Sequence, residues 1–259
     1  DEAAFFAAEL IAALRAPGLA RLLERAAAAE PATSLQDSAE STWIARNVFG
    51  TPGRAANAPY AWAALTGAAD TTGVVWHADP VHIEVGRDSL IVRGLDDVPP
   101  DEAEAGALIA AANESLSDAH CELRRAGSQW FLHTDRAWSF MPPPLSDSLG
   151  QPYSPAQSDE VDSIHWSRLH NAIQMRWHTD PVNEAREERG LPPINALWLH
   201  GGGAWRALPP LRWPRVHSER AELRGAAAAG GAVSARVMDA VTDNALLVWD
   251  DALPAARQH

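Results

Sequence analysis

The chain has 259 residues, of which 34 are acidic and 21 basic, and its formal net charge is −13. An acid excess of this size repels nucleic-acid phosphates unless arginines cluster, and the sequence has no basic run. It has no lysine and a single cysteine, Cys121, which excludes a Walker A loop, a Schiff-base lysine, a Ser-x-x-Lys nucleophile and an internal disulfide. No apolar run approaches the ~20 residues that span a bilayer. The lone cysteine fits a reducing, cytoplasmic compartment. The length suits one domain over 1–259, with a sub-domain boundary expected near 141–158. The chain opens on Asp1 without a Met and closes on "ALPAARQH" in mid-element, so the natural protein is expected to extend beyond both ends.

Residues 3–15 place Phe6, Leu10, Ile11 and Leu14 on one helical face, and Pro17-Gly18 stops it. Leu19, Leu22 and Leu23 start a second short helix. "STWIARNVFG" reads as a helix ended by Gly50, and "TPGRAANAP" as loop. From Val74 the period changes to two. Ile83/Val85 and Leu90/Val92 alternate around Gly86-Arg87, which predicts a hairpin. Asp101 and Glu104 form a capping-box pattern before a stripe of Leu108, Ala112, Leu116, Ala119 and Leu123, so this helix is expected to run to Gly127. "QWFLH" and "RAWSF" read as strands.

The Pro/Ser-rich stretch 141–159 is the best loop or boundary in the chain. Residues 159–177 predict a helix with Val161, His165, Leu169, Ile173 and Trp177 on one stripe. Asp180 then caps a short helix with Pro181 at its first position and Gly190 beyond its end. "INALWLH" and "NALLVWDD" read as buried strands. Helices and strands in this succession predict an α/β or α+β fold, a mixed sheet with flanking helices.

His-x-Asp-Pro-Val is written twice, at His77 and at His178. Asp180-Pro181 is explained by capping alone. Asn183 and Arg186, three apart on one face beside a helix N-terminus, point instead to an anion, since free N–H groups and a guanidinium fork suit carboxylate or phosphate. Gly201, Gly202 and Gly203 follow a strand, where glycines let backbone donors approach a ligand or merely make a tight turn. His200 with those glycines spells the oxyanion motif of some esterases, but the Gly-x-Ser-x-Gly elbow this requires is missing. His77/Asp79, with His82 behind them, His133/Asp135 and His178/Asp180 are spaced to offer imidazole and carboxylate to one metal, as are Asp250 and Asp251 at a strand end.

The segment "DPVNEAREERGLPPINALWLHGGG" resembles cofactor-independent phosphoglycerate mutases of the archaeal type, through Pro181, Val182, Asn183, Arg186, Gly190, Asn195, Gly201 and Gly203. Asp79–His82 resembles that family's Asp-Pro-His, with Val81 inserted. The chain is also similar, over Leu19 to Gly203, to RpfE-type, phosphoglycerate-mutase-like bacterial proteins. The resemblance implies the alkaline phosphatase superfamily, with its two divalent metals (Mn or Mg) and a Ser or Thr nucleophile. The matched part resembles the family's inserted, substrate-facing segment, and no nucleophile or metal-ligand pair of the family matches a position here.

The reading is therefore a regulatory, non-catalytic protein that binds a small phosphorylated or carboxylated ligand. Asp79, His82, His178, Asp180, Asn183, Arg186, Asn195, His200 and Gly201–Gly203 are expected to line the pocket. An active metal-dependent mutase is one alternative. A protein acting on a partner through an exposed patch of Trp198, Trp205 and Trp213 is another.

Overall fold

The computed structural model describes residues 37–86, 89–150, 152–153, 161–237, 239 and 244–248. The helices expected over 3–15 and 19–23, and Asp250-Asp251, lie outside the described residues. The fold is mixed α/β. Helix α1 (Ala39–Asn47) is capped by the Ser38 hydroxyl and gives way to Gly50 at φ +66°. Helix α2 (Ala58–Thr66) begins with Pro59 in its first turn, inside the stretch expected to be loop.

The long strand β1 (Val74–Val85) and β2 (Leu90–Arg93) form the expected hairpin. Helix α3 (Glu102–Leu116) has the full capping box at Asp101 and Glu104. It does not run to Gly127. A 3-10 turn (Ser117–Ala119) and the left-handed His120 at φ 52° stop it, and β3 (Cys121–Ala126) takes over. The Asn113 side chain bonds both the N–H and the C=O of Leu123, and so draws that residue out of helix and into strand.

β3 turns into β4 (Gln129–Thr134). "RAWSF" is not a strand. Asp162 binds the Arg136 guanidinium and the Ser139 N–H, while Trp138 and Phe140 stack on Trp76 and on each other. A short helix α4 (Leu145–Ser148) and a two-residue strand β5 (Pro152–Tyr153) follow. Helices α5 (Val161–His178) and α6 (Pro181–Glu188) lead to β6 (Ala196–Gly203). The chain continues with β7 (Arg215–His217), α7 (Ala221–Ala229), β8 (Val233–Ala235) and β9 (Ala245–Leu247).

The larger sheet is antiparallel and ordered β3-β4-β1-β2-β5, with β6 also paired to β1. The smaller is parallel, ordered β8-β7-β9. One face of the large sheet carries Trp76, Trp130, Leu132 and Leu197 against α3 and α5, where Leu108, Ile173 and Trp177 are fully buried. Each such side chain contributes roughly 1.5–3 kcal/mol relative to exposure. The other face meets α2 and α7 at Val75 and Phe131. These two helices touch backbone to backbone: a Cβ on Gly225 would lie 1.9 Å from the Tyr60 carbonyl oxygen. Their far sides pack with α1 and β7 in a second core.

Candidate functional site

The second His-x-Asp-Pro-Val builds a structural tie. Asp180 caps α6, its carboxylate accepting from the Val182 N–H at 3.0 Å. Asn183 is 4% exposed; its amide donates to the Trp177 and Ile194 carbonyls and accepts from the Ile194 N–H. Arg186 is 1% exposed. Its Nε donates to the Pro192 carbonyl at 3.0 Å, Nη2 to the Val98 carbonyl at 2.8 Å and Nη1 to Glu104 at 2.8 Å. Arg186 does hold an anion, but that anion is Glu104 of the same chain. Arg189 binds the same carboxylate from outside. Burial works to raise the Glu104 carboxyl; the Arg189 bond, the Asp101 N–H and Arg186 together outweigh it and hold it below the usual range.

Asn183 and Arg186, expected to hold an external anion, are thus engaged with the chain itself. Asn195 is likewise occupied: its side chain accepts from the Ile83 N–H at 2.7 Å and donates to the Ile83 carbonyl at 3.0 Å, extending the β1–β6 ladder. His178 is exposed in the last turn of α5. His82, on the opposite face of β1 from Asp79, binds the Pro193 carbonyl at 2.9 Å. His133 pairs with Asp70 at 2.9 Å, and Asp135 is exposed, so that His-x-Asp is no ligand pair either.

The first His-x-Asp-Pro-Val does bring polar groups together. His77 and Asp79 share a face of β1, and His77 lies opposite His200 of β6. The two imidazoles stack at 4.6 Å with 16° between planes. His200 Nε2 and an Asp79 oxygen are 2.8 Å apart, and His200 Nδ1 is buried without a partner. Burial, and then the neighbouring His200, push His77 down to about 3. Burial alone would raise Asp79, but the charge and hydrogen bond of His200, with His77 behind them, outweigh it and lower that carboxyl.

The three glycines serve packing. The register jumps from Val75↔Gly203 to His77↔His200, so Gly201 and Gly202 face the single residue Trp76 in a bulge. Gly201 has φ +60° and lies against the Asn57 side chain, while a Cβ on Gly202 would fall 2.1 Å from the Trp76 ring. Asn57 Oδ1 is itself buried and unpartnered.

The divalent metals implied by the resemblance do not fit these donors. Asp79 is paired with His200 Nε2, the rings stack, and no group of three or more His, Cys, Asp or Glu among the described residues is placed to hold a metal ion.

The cations without a carboxylate lie elsewhere. A groove of about 580 Å³ runs between the end of α1 and the segment after β6, walled by Val48, Phe49, Pro209 and Leu211 and lined by Arg206 and Arg212. No described residue lining it is acidic, and neither arginine pairs with a described carboxylate. The Arg212 guanidinium lies 4.1 Å from the Trp213 ring centre and 5.9 Å from that of Trp43. The Arg206 backbone is fixed by the Tyr60 hydroxyl, which donates to its carbonyl at 3.1 Å. The signal in the sequence was "WRALPPLRWPR", arginines among Trp and Pro with no acid between them. The expected exposed tryptophan patch does not form: Trp198 is 8% and Trp213 9% exposed, and Trp205 is half-buried on the second core.

No family model and no curated protein sequence matches the chain. Among solved structures, the PH0037 protein from Pyrococcus horikoshii aligns with a TM-score of 0.43 and 14% identity, over 82% of this chain and 49% of that one. A cofactor-independent phosphoglycerate mutase from Thermoplasma acidophilum DSM 1728 aligns with a TM-score of 0.42 and 16% identity, over 85% of this chain and 65% of that one. The chain thus spans about half of the first structure and less than two thirds of the second. Among the described residues no helix is long and apolar enough to cross a membrane.

Proposed function

We propose that this chain is a phosphoglycerate-mutase-like domain that binds a small phosphorylated or carboxylated ligand, and that the ligand sits in the Arg206–Arg212 groove. The observation that carries this reading is the pair of arginines without carboxylates on a ligand-sized groove, in a chain with a net charge of −13. Acidic side chains outnumber basic ones on this protein, yet none lines the groove among the described residues. The groove's volume falls within the ~300–1,000 Å³ of small-molecule sites. Stacking on Trp213 fixes the plane of Arg212, so little side-chain freedom is lost when its N–H fork meets an oxyanion. The lining offers two cations, an amide and apolar walls, which suits holding a ligand more than converting it.

Isothermal titration with 3-phosphoglycerate tests this. Binding is expected to weaken as salt rises. Arg206→Gln with Arg212→Gln is expected to weaken it about tenfold or more, since hydrogen bonds to charged groups contribute roughly 1.5–3 kcal/mol each. Binding that ignores both substitutions, or no binding of 3-phosphoglycerate or of simple phosphates and carboxylates, overturns the reading.

A further inference from the structure

A second groove, of about 270 Å³, lies between α2 and α7. Its walls are Ala63, Ala64, Gly67, Ala228 and the half-buried Trp205, and Arg224 lines it. The Nε of Arg224 is buried and has no hydrogen-bond partner. No described carboxylate pairs with its guanidinium, and no described residue lining the groove is acidic. The floor under it is rigid, because Gly225 brings α7 against the α2 backbone at Tyr60.

We propose that this groove is a binding site for a small monocarboxylate with a short apolar or aromatic body, held by Arg224. The two terminal Nη groups of an arginine form an end-on fork that matches the two oxygens of a carboxylate, and this is the fork assigned to the ligand, since the Arg224 Nε is itself buried. A single arginine balances one negative charge. A phosphate dianion would leave a second charge facing alanine walls, at a desolvation cost that nothing lining the groove offsets. The small residues leave room for the ligand body, and Trp205 adds an aromatic side chain to the lining. The volume is below the ~300–1,000 Å³ typical of drug-sized ligands, so the ligand is a small one. The site is independent of Arg206 and Arg212 and stands whether or not they bind an anion.

The test follows the Trp205 indole N–H resonance of the whole chain while acetate, butyrate, benzoate, the neutral benzamide and inorganic phosphate are titrated in turn. Benzoate is expected to shift the signal saturably and at lower concentration than acetate, with benzamide and phosphate silent. Arg224→Gln is expected to abolish the shift, and Arg224→Lys, which keeps the charge but not the fork, to weaken it about tenfold. Arg206→Gln with Arg212→Gln is expected to leave it intact, which separates this site from the larger groove. No shift with any carboxylate, an undiminished shift in Arg224→Gln, or benzamide or phosphate matching benzoate overturns the proposal.

Discussion

The two copies of His-x-Asp-Pro-Val end in opposite states. At Asp180 the motif opens a helix, and the residues it delivers, Asn183 and Arg186, spend their polar atoms on the chain itself. At Asp79 it lies in a strand, and the histidines it gathers keep a buried nitrogen without a partner. The difference is one of backbone. A helix start consumes the aspartate as a cap, whereas a strand presents His77 and Asp79 side by side. The first region is therefore expected to govern stability, and the second to tolerate change.

Arg186→Ala breaks that comparison open most widely. It leaves the Glu104 carboxylate without its inner cation, and the Val98 and Pro192 carbonyls without donors, in a place where Arg186 itself is 1% exposed. Removing one partner of a buried ion pair costs about 3–5 kcal/mol. A urea titration is expected to show a loss of that size, a large share of a typical domain's stability. A loss under about 1 kcal/mol would mean that the tie is not what holds α6 to α3.

Acid acts on two neutral histidines that sit about β1 and β6, one on α5 and one in the cluster. His170 on α5 accepts the Leu197 N–H at 3.1 Å, and burial lowers its pKa to about 4. His77 in the cluster is lowered to about 3. Both lie below the ~6.5 of an unfolded histidine. Between pH 6.5 and 4 the unfolded chain takes up protons that the folded chain refuses, so stability is full above about 6.5 and falls as the pH drops. His170 alone accounts for about 3 kcal/mol of that fall. Gln at position 170 keeps an acceptor but does not titrate, so the stability of His170→Gln is expected to depend less steeply on pH over this window. Parallel pH profiles for the two proteins would remove His170 from the account.

Much of the fold follows from local pattern: the hairpin at Gly86, the capping box at Asp101 and Glu104, and the Asp180-Pro181 helix start each need only a few neighbouring residues. The errors come where a distant group overrides that pattern. The apolar spacing Leu116, Ala119, Leu123 continues a helix on paper, but the Asn113 side chain and His120 turn it into a strand. "RAWSF" alternates like a strand, yet Asp162 and Trp76 hold it otherwise. The site was harder to read for the same reason. Arg186 looked free because its anion, Glu104, lies 82 residues away and already had a local task as a cap. Arg206 and Arg212 are not legible as a pair in the sequence, because a cation without a carboxylate is defined only once every neighbouring carboxylate has its place.

The smallest expected effect separates the two regions most cleanly. The Asp79 side chain is 28% exposed and that of His200 13%, so water already solvates part of the pair. Such a pair contributes about 1 kcal/mol or less. Asp79→Asn keeps the shape and leaves an amide oxygen to accept from His200 Nε2, so the fold is expected to lose little near neutral pH, in contrast to Arg186→Ala. What should change is the histidine. Without the carboxylate, the stacked imidazoles lose the charge beside them, so the ring resonances of His77 and His200 are expected to move in an NMR spectrum taken at constant neutral pH. A stability loss rivalling that of Arg186→Ala would make the cluster a second structural tie. The contrast between the two copies of the motif would then be one of solvent exposure alone.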